Sequence, residues 1–150
     1  VIPQAAWAEG IASATLAGRL QAFERDGVEI LVDVGHNPHA ARAMRQSLIG
    51  LPFAQKRTAV FSMLADKDID GVLEIVKDQF DEWYIAPLDV PRGMTAEALQ
   101  AKLEAQNIEN IQTFTSVLEA YRAALAKAGE NDRIVVFGSF HTVADVMAAL

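Results

Sequence analysis

The hydrophobic positions of this chain follow two alternating patterns. Short runs rich in β-branched and aromatic residues give way to longer stretches whose apolar residues recur every three or four positions. Val28–Asp33 (VEILVD) is a near-continuous apolar run, as expected of a strand covered on both faces in a parallel sheet. Residues 58–63, 83–86, 111–114 and Arg133–Phe137 read as further strands. Residues 15–23 read as an opening strand, ended by the Asp26-Gly27 turn. Helical spacing predicts a helix over Pro38–Ile49, with Ala41, Met44 and Leu48 on one face and Arg42, Arg45 and Gln46 on the other. A second helix is predicted to carry Ile69, Val72, Leu73, Val76 and Phe80, and a third to span 95–106. A fourth, over 116–128, is expected to bury Val117, Leu118, Tyr121 and Leu125, and a last one to run from about Thr142 to Leu150. Residues 1–14 show no clear period and read as a linker or packed tail.

Strands alternating with helices of about ten residues imply right-handed βαβ units. The expected fold class is therefore α/β and Rossmann-like, one domain over residues 15–150 with a mostly parallel sheet and helices on both faces. Ligands of such sheets bind beyond the carboxyl ends of the strands. That rule selects four segments, 33–39, 64–68, 87–94 and 138–142.

Composition narrows the partners. The chain has 150 residues, 51% hydrophobic and 22% charged, which suits one globular domain and excludes a disordered chain. It has no cysteine, so thiolate metal sites and Cys nucleophiles are ruled out. A net charge of −7 without a basic stripe argues against nucleic acid. No apolar run reaches membrane-spanning length and no secretory leader opens the chain, so the sequence reads as soluble and cytoplasmic, with no membrane partner. It begins at Val1 without an initiator Met, as a piece of a longer protein would.

The most informative segment is Asp33-Val34-Gly35-His36-Asn37-Pro38-His39. Asp33 ends a strand, Gly35 permits a tight turn, Asn37 suits a helix cap and Pro38 the first helical position. The positive end of that helix favours an anion, and an Asp and a His at such a tip can bond a ribose or orient a phosphate. The plainer reading is a capping device with solvated histidines. A metal site of Asp33, His36 and His39 is disfavoured, because the two histidines straddle the Pro-initiated turn and diverge.

Gly138-Ser139-Phe140-His141-Thr142 also joins a strand to a helix. Ser139 and Thr142 suit a cap, and the backbone there can cup a carboxylate or phosphate. A Ser139 nucleophile is disfavoured, since the glycines of a nucleophile elbow are incomplete. Asp66 and Lys67 stand at the same expected edge, beside Asp68 as a helix cap; Arg92, on a rigid turn, can reach a carboxylate. Arg19, in the opening strand, says little alone. No dinucleotide fingerprint and no P-loop occurs in the chain.

Three segments, taken together, carry a resemblance: 17–21 (AGRLQ), 31–41 (LVDVGHNPHAA) and 136–144 (VFGSFHTVA), joined by 64–68 (LADKD). The set resembles the C-terminal domain of bacterial folylpolyglutamate synthase/dihydrofolate synthase, in the Mur ligase superfamily. Asp-x-x-His-Asn-Pro is shared across Mur ligases; the Asn37–Ala41 continuation and the Gly-Ser-x-His ending point to the folate branch. The resemblance implies an ATP-dependent carboxylate–amine ligase, joining L-glutamate to dihydropteroate or reduced folates through an acyl phosphate. It implies that Arg19, Asp33 and His36 contact ATP, Asp33 at the ribose. It implies that Ser139 and His141 help place glutamate, with Asn37, Asp66 and Lys67 as loop contributors. Gly35 stands where alanine is common in that family, and Ala17 where proline often precedes Gly-Arg. ATP and Mg2+ are the implied cofactors, the magnesium ligands and P-loop belonging to an N-terminal ATPase domain of the same parent chain. No catalytic group is expected in this domain alone. The alternatives are a Mur-type peptidoglycan amino-acid ligase domain and a non-catalytic anion-binding α/β domain.

Overall fold

Strands that are apolar on both sides need helices on both sides, and the chain supplies them in sequence order. The computed structural model describes residues 15–16, 20–25, 27–35, 37–88, 90–91 and 93–149. Within these lie strands β1 (Thr15–Leu16), β2 (Leu20–Arg25), β3 (Val28–Asp33), β4 (Arg57–Phe61), β5 (Glu82–Ile85), β6 (Ile111–Thr113) and β7 (Arg133–Phe137). They form one sheet in the order β1-β2-β3-β7-β4-β5-β6. β1, β2 and β3 pair antiparallel, and every pairing from β3 to β6 is parallel. The helices are α1 (Pro38–Ile49), α2 (Ile69–Val76), α3 (Ala96–Ala105), α4 (Val117–Lys127) and α5 (Phe140–Met147).

Alternation along the strands divides the core in two. Leu31, Ala59, Phe61, Trp83, Val135 and Phe137 face α1, α2 and α3. Ile30, Val32, Val60, Tyr84, Ile134 and Val136 face α4 and α5. The chain steps from β3 past β7 to β4, then to β5 and β6, with its crossovers on the first face. It returns to β7 through α4 on the second. β7, laid down last, is thereby the central strand, and all five of its residues are buried.

Each helix starts where a side chain caps it. Asn37, Asp68, Thr95, Ser116 and Ser139 accept from the N–H three residues on, in α1 to α5 respectively. This sharpens three expectations. α5 begins at Phe140, ahead of the expected Thr142, because Ser139 ends the extended chain there. Residues 15–23 hold two antiparallel strands instead of one, with Leu16 opposite Leu20. Phe80 lies beyond α2: a 3-10 turn over Lys77–Gln79 ends the helix, and Phe80 is extended. Its ring packs on Trp83 and Phe137 at 5.2 and 5.5 Å, and that aromatic cluster takes it out of the helical repeat. On α4 the fully buried positions are Val117, Ala120, Tyr121 and Ala124, while Leu118 and Leu125 are half-buried. Among the described residues no helix is long and apolar enough to cross a membrane.

Two glycines shape the turns that matter. Gly27 has φ +83 in the tight hairpin that places Arg25 opposite Val28. Gly138, with φ +121, follows β7, and a Cβ there would lie 2.1 Å from the Ser62 carbonyl oxygen. Gly138→Ala is expected to cost about 2 kcal/mol or more in urea unfolding, from left-handed backbone strain plus the collision. Gly129→Ala, where a Cβ meets nothing closer than 4.0 Å, is the control and should stay within about 0.5 kcal/mol.

Candidate functional site

The strand pairing sets Asp33, Phe137 and Phe61 level with one another at the ends of β3, β7 and β4. From there the chain leaves β3 and β4 for helices on the first face, and β7 for α5 on the second. The divergence opens an edge of the kind that receives ligands in α/β sheets. β2 opens at the same edge, since Gln21 pairs with Val32.

Asp33 is only 3% exposed, and its Oδ1 accepts the Gly35 N–H at 2.7 Å. The bond folds the chain back at once, and the carboxylate lines a narrow cleft together with Gly35, Asn37, Ala40, Met44 and Phe137. Asn37 Oδ1 accepts the Ala40 N–H at 2.8 Å. Pro38 has no N–H, so two of the first three residues of α1 have none to offer an anion. The helix's positive end remains, but most of the nearby donor capacity serves the chain itself.

The segment after β7 is tied differently. The Ser139 hydroxyl accepts the Thr142 N–H at 3.1 Å and lies 2.9 Å from the Thr142 hydroxyl. The Thr142 hydroxyl donates to the Ser62 carbonyl at 2.8 Å, and Ser62 Oγ donates to the Ala86 carbonyl at 2.6 Å. Ser139, Thr142 and Ser62 are all buried, whereas His141 stands exposed between the first two. Asp66 is exposed and Lys67 half-buried, in a turn closed by the Lys67 N–H on the Leu64 carbonyl. Asp68 caps α2 through the Gly71 N–H at 3.0 Å. A Cβ on Gly71 would sit 2.9 Å from Pro38 Cγ, so the starts of α1 and α2 touch.

The structure thus brings the loops of Asp33, Asn37, Asp66, Lys67, Ser139 and His141 to one edge. Arg19, His36 and Arg92 lie outside the described residues. Ser62 escaped the sequence reading, although a hydroxyl directly after the apolar Ala59–Phe61 run was a signal. A roomier concavity lies at the opposite edge, between Pro52, Phe53, Arg57, Asp81 and Arg133. Its charges are already matched: Arg133 bonds Glu29 and the Pro52 carbonyl, and Arg57 pairs with Asp81. Among the described residues no group of three His, Asp or Glu side chains is placed to hold a metal.

Sheet order, opposed helices and a polar edge at the β3–β7–β4 ends define a mostly parallel α/β domain. More narrowly, the chain belongs to the Mur ligase, glutamate ligase domain family, whose profile matches residues 18–140. The dihydrofolate synthase/folylpolyglutamate synthase of Escherichia coli K12 is 44% identical over 142 residues, covering 95% of this chain and 32% of that protein. The structure of E. coli FolC in complex with DHPP and ADP superposes with a TM-score of 0.81 at 44% identity, over 99% of this chain and 34% of that one. A bifunctional folylpolyglutamate synthase/dihydrofolate synthase with Mn, AMPPNP and L-glutamate bound gives 0.79 at 43% identity, over 91% and 32%. The chain spans about a third of the length of the relatives it matches.

Gly35 makes the site's turn testable. A Cβ there would lie 2.5 Å from the Ala40 Cβ and 2.9 Å from Asp33 Oδ1. Gly35→Ala is expected to destabilise the chain by about 1–3 kcal/mol through overpacking. Thermal unfolding reads this directly, and an unchanged midpoint would mean that the turn relaxes freely.

Proposed function

We propose that the chain is the C-terminal domain of an ATP-dependent carboxylate–amine ligase that joins L-glutamate to dihydropteroate or to reduced folates. The observation that carries the reading is the extent of the likeness to the E. coli enzyme, which runs through all the loops gathered at the β3–β7–β4 edge. The domain works with an N-terminal ATPase domain of the same parent chain, in the cytoplasm.

In this reaction a carboxylate oxygen of the pteroyl acceptor attacks the γ-phosphorus of ATP, and ADP leaves. The amine of L-glutamate then attacks the acyl carbon, an amide forms, inorganic phosphate leaves and the amine gives up its proton. Charge developing on the transferring phosphoryl group calls for fixed donors and cations around it. Arg19 and His36 supply cationic or donor groups to ATP, and Asp33, held by its bond to Gly35, accepts from the ribose. His141 reaches glutamate from the first turn of α5, and Ser139 helps place it. Asn37, Asp66 and Lys67 complete the rim. Closing this edge against the ATPase domain keeps water from the acyl phosphate. It also brings amine and acyl carbon together, which removes much of the entropic cost of their meeting. A divalent cation, in the cell Mg2+, would neutralise the phosphates when bound, as the Mn held with AMPPNP in a related structure suggests. Its ligands are expected from the N-terminal domain, since no group of three His, Asp or Glu side chains meets among the described residues here.

The test is ADP release by the full-length parent with Mg-ATP and L-glutamate, offered dihydropteroate, tetrahydrofolate or a UDP-muramyl acceptor in separate reactions. Release is expected only with the pteroyl acceptors, falling at least about tenfold (about 1.4 kcal/mol) in Asp33→Ala and in His36→Ala. Release with the muramyl acceptor alone would move the protein to the peptidoglycan branch. No acceptor-dependent release would leave an anion-binding domain. The isolated chain is expected to release no ADP under any of these conditions.

A further inference from the structure

We propose that Ser139, Thr142 and Ser62 are positioning residues for the amino-acid substrate, acting through two sets of buried hydrogen bonds that meet at Ser62. The inference rests on the reading above, that the start of α5 places glutamate.

The direction of these bonds follows from counting protons. The Thr142 hydroxyl has one proton and donates it to the Ser62 carbonyl at 2.8 Å. In its 2.9 Å contact with Ser139 it is therefore the acceptor, and Ser139 is the donor. Ser139 Oγ also accepts the Thr142 N–H. The Ser62 hydroxyl donates to the Ala86 carbonyl. All three hydroxyl protons are committed inside the protein, and Ser139 is 2% exposed. A ligand carboxylate needs donors, and Ser139 has no proton to give it while these bonds are intact. Ser139 thus acts on the substrate through the place it gives its neighbour.

That neighbour is His141, exposed between two locked residues. The bonds fasten the start of α5 to the end of β4 at Ser62, and through Ser62 to the residue that follows β5. β4 leads directly into the loop of Asp66 and Lys67. The distance across the site, from His141 to that loop, is therefore set by the bond of the Thr142 hydroxyl to the Ser62 carbonyl, while the Ser62 hydroxyl fixes that strand end against Ala86. Gly138 permits the arrangement, since a side chain there would collide with the same carbonyl that Thr142 bonds. A shift of His141 acts on the substrate it holds, and about 1 Å of misplacement can cost on the order of a hundredfold.

The experiment uses the full-length parent, comparing Thr142→Val, Thr142→Ser and Ser62→Ala with wild type in pteroyl-dependent ADP release. Thr142→Val keeps the shape and deletes the donor. It is expected to raise KM for L-glutamate about tenfold while KM for ATP stays within about twofold. Thr142→Ser should restore the glutamate KM to within about threefold of wild type, because the hydroxyl suffices. Ser62→Ala should shift the glutamate KM in the same direction, and it carries the test if Thr142→Val does not fold. Glutamate and ATP KM rising together, a loss confined to thermal stability, or failure of Thr142→Ser to rescue would overturn the proposal. Those outcomes presuppose an active wild type. A wild-type parent with no glutamate-dependent release refutes the functional reading itself, and this inference with it.

Discussion

The end of β7 passes so close to the end of β4 that no side chain fits between Gly138 and the Ser62 carbonyl. The rest of the candidate site depends on that approach. It lets one carbonyl serve the Thr142 hydroxyl, and it starts α5 immediately after the strand, on the face opposite α1 and α2. With bulk at position 138 the two strand ends would splay, and the edge that carries Asp33, Asp66 and His141 would lose its common frame.

The approach is possible because β7 is held on both sides. β3 and β4 pair with it along its whole length, and both of its faces are buried. Phe137, its last residue, stacks with Phe80 and lies 4.9 Å from Phe61. The aromatic cluster thus reaches the polar edge through Phe61 and Phe137. Rigid apolar packing below and capped helix starts above leave the exposed groups as the parts able to respond to a ligand.

Much of this was legible in the sequence. Val28–Asp33, Pro38–Ile49 and Arg133–Phe137 were readable to the residue, because apolar runs and the Asn-Pro cap act locally. The segments that would meet at one edge followed from the rule for α/β sheets. What escaped depends on contacts distant in sequence. Phe80 left its helix for rings on β5 and β7. The opening strand divided because its halves pair with each other. Ser62 looked like one more strand residue, and its part appears only once β7 lies beside β4, with 80 residues separating it from Thr142. Ser139 was legible as a cap, but the direction of its proton required the partner's partner.

The antiparallel start of the sheet has a mechanical side. β2 opens beside the residues that close β3, with Gln21 opposite Val32, and β1 pairs back on it with Leu16 opposite Leu20, so the facing ends of β1 and β2 lie at the rim of the candidate site. An antiparallel pair needs no crossover helix, so this flank of the sheet is built without one. A pull on the rim at this flank is therefore carried by the ladder of β2 on β3 and passes straight to Asp33.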